Sequence, residues 1–271
     1  DNPRILEAFN QPCTDWLSFF CFTAFTDRDG KYQLGALAES AFDPLSRSCR
    51  FMLTEEAHHL FVGEAGIGRI IRRAAQLMKL DPNEDVRDQG GIDLPTIQRY
   101  INYWYSYCLD LFGSGQSSNA ADYFAAGLKA RWQEASKYED HRVLHETRAL
   151  TFVQQGKLME RDVPLRLAMN EQLRQDYTED CGKVVARWNA VLVKEGISDF
   201  EFTLPSPRFH RRVGNFGQHH FSPSGDLITQ AQWADGYVDW LKSPDDDAYV
   251  LSLMKAVTEP GKMANYIAPP N

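Results

Sequence analysis

The chain has 271 residues, 43% of them hydrophobic and 12% aromatic, enough to bury a sizeable core as one large domain or two small ones. Its formal net charge of -8 and isoelectric point near 5.4 argue against nucleic acid or an anionic membrane as the main partner, because the average field of the molecule repels both. Five cysteines, at positions 13, 21, 49, 108 and 181, are odd in number and form no C-x-x-C pair. That is the pattern of reduced intracellular thiols, and with no apolar run long enough to span a bilayer the expected location is the cytoplasm.

Apolar residues recur three and four apart, and β-branched alternation is scarce before about residue 200, which predicts an all-α fold. Helices are expected over residues 14–41, from 44 to beyond 64, over 70–79 and over 95–112, where the run INYWYSYCLDLFG is too apolar to be anything but core. Further helices are expected over 118–135, 139–155 and 164–195. Residues 200–226 are rich in Pro and Gly and read as a long irregular loop. Short helices around Trp233 and Val250 then close the chain before a coil ending IAPPN. The expected organisation is a helical bundle portion over 1–199, with the irregular loop and short helices of 200–271 packed on it.

The stretch MLTEEAHHLFVGE, residues 52–64, concentrates two carboxylates and two imidazoles on a helix. Asp43-Pro44 is a strong helix start, and it sets the frame. Leu45, Cys49, Met52, Leu53, Glu56, His59, Leu60 and Gly63 then share one stripe, while Glu55 and His58 sit nearer the flank. Glu56 and His59, at i, i+3, are expected to point into the core at one spot. A buried carboxylate needs a counter-charge, and a metal ion would supply it. The preceding helix carries Trp16, Phe20, Thr23 and Ala24 on one stripe that runs on to Asp27. If the chain reverses near Asp43, Asp27 lies 16 residues before the turn and Glu56 13 after it, an axial offset of only about 4.5 Å. Asp29 satisfies the same arithmetic, so periodicity leaves both acids open.

Other histidines carry weaker patterns. In YEDHRVLHE, His141 and His145 stand at i, i+4 with Glu139 or Glu146 nearby, and a polar helix face accounts for them. His219 and His220, in the Gly-rich loop, read as surface residues. GEAGIGRI lacks the preceding strand of a dinucleotide fingerprint, so Gly63, Gly66 and Gly68 are expected to relax or kink the helix. A mononuclear metal hydrolase using Asp27, Glu56 and His59 would lack a separate nucleophile or base. The alternative from another class is a metal-free helical scaffold or binding protein in which Glu56 and His59 form a buried polar network.

An acid from one helix plus Glu-x-x-His from its neighbour is half of the ligand set of a ferritin-like carboxylate di-iron bundle, and this chain contains no second copy. The segment TAFTDRDGKYQLGALAESAFDPLSRSCRFMLTEEAHHLFVGEAGIGRI, with the sequence downstream to GKMANYIAPP, resembles the oxygenase components of benzoyl-CoA 2,3-epoxidases, a ferritin-like di-iron family. The resemblance covers essentially the whole chain, but only the C-terminal part of the family protein, a little over half.

What the resemblance implies is specific. Asp27, Glu56 and His59 would be iron ligands, with a catalytic role for Glu56. Two iron ions would be completed by an acid and a Glu-x-x-His in the N-terminal half of the same protein, outside this chain. The implied reaction is that of a monooxygenase of aerobic benzoate degradation, converting benzoyl-CoA and O2 to 2,3-epoxy-2,3-dihydrobenzoyl-CoA and water. Electrons would come from NADPH only through a separate flavin and iron-sulfur reductase. Coenzyme A phosphates call for arginines, and Arg208, Arg211 and Arg212 are the candidate substrate-binding cluster, with Arg69, Arg72 and Arg73 as a second.

Overall fold

Two long antiparallel helices form the spine of the molecule, seen in a computed structural model that describes residues 7–129 and 146–270. After one turn, α1 (Glu7–Asn10), comes α2 (Trp16–Ala38), capped by Asp15, whose carboxylate accepts the Ser18 N–H at 2.7 Å. The second spine helix, α3, runs unbroken over Asp43–Leu80 and joins the two helices expected separately. Its cap is Phe42 rather than Asp43. Pro44 still occupies the first turn, and Asp43 contributes its charge there, paired with Arg47 at 2.9 Å.

The expected kink at the α3 glycines is replaced by close packing. A Cβ on Gly63 would stand 2.5 Å from the Ala24 backbone nitrogen, and one on Gly66 would stand 2.3 Å from the Phe20 ring. These glycines are where α2 and α3 touch most closely. They also fix the register, setting Ala24 beside Gly63, Phe20 beside Gly66 and Gly30 beside Glu56.

α4 (Leu94–Leu109) is capped by Asp93 and continues into a 3-10 turn at Asp110–Phe112. It buries Tyr100, Ile101, Trp104, Tyr105, Cys108 and Leu109, as the apolar run requires. α6 (Met169–Lys194) completes the core, stacking Tyr177 on Tyr105 with ring centroids 6.0 Å apart and setting Trp188 against Phe25. All five cysteines are free, and four are buried. The fold is mostly helical, a ferritin-like bundle, and among the described residues no helix is long and apolar enough to cross a membrane.

Three expectations at the periphery are corrected. α5 (Ser118–Ala125) stops early because the chain turns at Gly127, with a φ of 69°, where the Leu128 N–H bonds back to the Tyr123 carbonyl. The described part of the helix expected over 139–155 is instead a strand, β1 (Thr147–Gln154), paired antiparallel with β2 (Lys157–Pro164). Gln155 and Gly156, with φ of 50° and 71°, make the two-residue turn that suits strand twist. A 3-10 turn at Leu165–Leu167 then precedes α6, whose expected start was Pro164.

Residues after α6 are largely irregular, with one small pairing of β3 (His220–Phe221) and β4 (Leu227–Ile228). α7 (Gln230–Trp240) and α8 (Pro244–Ser252) follow, each opened by a capping box.

Candidate metal centre

The α2–α3 register carries Asp27 to the level of Glu56 and His59. One ligand atom from each of the three lies within 4.8 Å of the others. His59 Nδ1 is 3.6 Å from Asp27 Oδ2 and 4.0 Å from Glu56 Oε2. Neither distance is a good hydrogen bond, and Glu56 Oε2 is buried with no hydrogen-bond partner. Burial raises the Asp27 carboxyl above the usual range, against the pull of His59. Burial, and then the neighbouring Asp27 charge, raises Glu56 in the same way. Two acids and an imidazole that crowd together without satisfying one another form a donor set suited to a divalent first-row metal ion.

Asp29, the other acid that periodicity left open, does not join them. It is buried elsewhere, 3.4 Å from Gln33 Nε2, in a cavity shared with Lys129, and burial pushes its carboxyl up to about 7. Glu55 and His58 are exposed.

The cluster is shallower than expected. The Asp27 and Glu56 side chains keep only 21% and 17% exposure, but His59 keeps 48%. Gly30 of α2 packs beside the Glu56 carboxylate, where a Cβ would stand 3.4 Å from Oε1, about van der Waals contact. This half of α3 is exposed over much of its surface, Phe51, Met52 and Phe61 included. One side of the cluster is therefore roofed by α2, and the other is open among the described residues. Deeper along the same two helices, Arg28 pairs with Glu64 at 3.1 Å and Asp180 at 2.6 Å, tying α2, α3 and α6 together one residue from Asp27.

Of the candidate arginines, Arg208 and Arg211 line one cleft. Arg212 pairs with Glu7 at 2.8 Å, and Arg211 is buried against Asp110. The Arg208 side chain donates only to the Gly225 carbonyl, at 3.4 Å. Arg69 and Arg73 hold the C-terminal segment to α3 through the Ala268 and Asn265 carbonyls. His220 stacks on Trp233. His141 and His145 lie outside the described residues. The sequence reading missed Arg148 and Arg161, which line a cleft with Arg208; the Gln155-Gly156 turn beside Thr151, Phe152 and Val153 is the signal that places them on a hairpin.

The fold and the cluster together define a ferritin-like helical bundle with two carboxylates and a histidine gathered between its two longest helices. Over 273 aligned residues the chain is 51% identical to the benzoyl-CoA oxygenase component B of Aromatoleum evansii, and the match covers 100% of this chain and 58% of that protein. The resemblance read from the sequence therefore holds along the whole chain, which spans little more than half the length of this curated relative. No family model matches the sequence.

Proposed function

We propose that this chain is part of the oxygenase component of a benzoyl-CoA oxygenase, and that Asp27, Glu56 and His59 supply half of the ligands of its di-iron centre. The observation that carries the reading is the buried Glu56 Oε2, which has no hydrogen-bond partner and is grouped with Asp27 and His59 within 4.8 Å across the α2–α3 pair. The 51% identity to a protein named as a benzoyl-CoA oxygenase component supports the substrate. Bound iron would supply the reduction of O2 and the transfer of one oxygen atom to the aromatic ring, giving the 2,3-epoxide and water.

The chain's own residues do the holding and shaping. Asp27 and Glu56 would balance the metal's charge, and His59 would add a neutral donor. The Arg28–Asp180–Glu64 ion pairs fix the two helices so that the donors keep their spacing. The exposed face around Phe51 and Phe61 is where the rest of the protein would pack, bringing the second acid and Glu-x-x-His. Glu56 is also the group best placed to take or give a proton beside the metal. Reducing equivalents would come from NADPH through a separate flavin and iron-sulfur reductase, consistent with a relative named as one lettered component.

Iron analysis of the full-length protein tests the reading. About two irons per chain, falling on substitution of Glu56 or His59 together with benzoyl-CoA epoxidation, is expected. Full iron content in both variants would remove the assignment.

A further inference from the structure

A cleft of about 600 Å³ opens between the β1–β2 hairpin, the turn at 114–116 and the loop at 206–216. Five arginines line it, and two of them are already neutralised: Arg174 by Glu171 and Arg211 by Asp110. The other three have neutral partners only. Arg148 donates to the side-chain oxygens of Gln172 and Gln175. Arg161 donates to Gln116 Oε1 at 3.0 Å and lies over the Phe152 ring, and Arg208 reaches only the Gly225 carbonyl. Among the described residues none of the three has a carboxylate partner.

Amide and carbonyl oxygens orient a guanidinium without cancelling its charge. Three such groups around one cleft, in a chain of net charge -8, repel one another unless an anion lies between them. Guanidinium forks match phosphate oxygens in geometry, and three of them suit a ligand with several phosphates better than a single carboxylate.

We propose that Arg148, Arg161 and Arg208 form a binding site for the phosphate groups of a nucleotide-bearing ligand. Its identification as the phosphorylated end of a coenzyme A thioester rests on the function proposed above. The placement fits an extended ligand. The turn at 114–116 that walls the cleft leads directly into Ser117, which lines a second cavity of about 370 Å³ containing Asp29.

Calorimetric titration of the full-length protein in chelator, with coenzyme A, 3′-dephospho-coenzyme A and inorganic phosphate, tests this without turnover. Coenzyme A is expected to bind tightest. R148Q, R161Q and R208Q should each weaken it about ten-fold or more, the loss of one charge-assisted contact. R47Q, on the far part of α3, should leave it unchanged. Because Arg208 touches little else, R208Q separates lost binding from misfolding. Unchanged coenzyme A affinity in R208Q and in the triple variant overturns the site. Arginine-dependent binding of inorganic phosphate as tight as that of coenzyme A overturns the thioester assignment. Arginine-dependent coenzyme A binding by a protein that takes up no iron supports the cleft while the metal reading fails.

Discussion

Glu56 Oε2 lies 4.0 Å from His59 Nδ1, buried and without a hydrogen-bond donor, which makes it a liability to the metal-free fold and an asset to a metal-bound one. E56Q should separate the two roles. Without metal, the amide removes a buried charge and can donate to Asp27, so stability is expected to hold or rise by about 1 kcal/mol. With ferrous iron at a hundred-fold excess over its dissociation constant, the unaltered protein should gain about 2.7 kcal/mol, and E56Q little of it. Anaerobic thermal melts of both full-length proteins, with and without iron, give the four numbers needed.

The contact of Gly63 with Ala24 makes a prediction of opposite sign to ordinary helix propensity. Alanine in place of glycine in a helix gains about 1 kcal/mol, but at Gly63 the new methyl would stand 2.5 Å from the Ala24 nitrogen and 2.9 Å from the Phe20 carbonyl oxygen. Backbone cannot yield as a side chain can. Overpacking of this kind costs about 3 kcal/mol, so G63A should lose about 2 kcal/mol net and bind metal more weakly as Asp27 moves away from Glu56. Gly182, on the exposed face of α6 with nothing near its missing Cβ, is the control. G182A should stabilise by about 1 kcal/mol in the same denaturant titration.

Asp246 anchors α8 to the start of α4 by accepting from Arg99 at 2.7 and 2.8 Å and from Arg87 at 2.7 Å. Burial pushes its carboxyl up, but the hydrogen bonds from Arg99, the Ser243 N–H and Arg87 outweigh that and hold it well below the usual range. A depressed folded pKa means that the unfolded chain takes the proton first. The contribution is therefore complete above about pH 4 and is lost as pH falls below it. D246N leaves Arg87 and Arg99 short of charge and should cost about 3 kcal/mol at neutral pH. Its stability should also fall less steeply than that of the parent in urea titrations between pH 5 and 3.

How much of this was legible in the sequence depends on which neighbours each residue needs. The α2–α3 pair was legible, because apolar residues at helical spacing and Asp43-Pro44 define both helices from local signals. The choice between Asp27 and Asp29 was not. Two residues are about 200° of helix rotation, so the acids face opposite ways, and only the register with α3 says which meets Glu56. Register in turn rests on Gly63 and Gly66, whose sequence shows a missing Cβ without showing what fills the space. β1 and β2 were misread because β2 is almost wholly exposed and β1 is at most half-buried, so no fully buried face imposes a period of two on them. The Gln155-Gly156 turn was the local signal there, and with it Arg148 and Arg161 move from a supposed helix to the rim of a cleft.

His210 gives the last prediction, in a different pH window. Its ring stacks on Trp233 at 5.7 Å and meets the Tyr107 ring edge-on at 5.3 Å, while Nδ1 is buried without a partner. Burial first, and then the Arg212 charge, lowers its pKa to about 3. The folded protein keeps the ring neutral while the unfolded chain protonates near pH 6.5, so stability is full above that value and declines as pH falls toward 3. Asp246 contributes nothing to the slope between pH 6.5 and 5, and Asp29, raised to about 7, adds a slope of opposite sign that is the same in parent and variant, so the difference between the two proteins isolates the histidine. H210N suits the positive φ of 50° at this position and cannot titrate. It should be less stable at pH 7, by about 1 kcal/mol of lost aromatic contact, yet lose less stability than the parent from pH 7 to 5. An equal slope in the two proteins across that interval would place the protonation elsewhere.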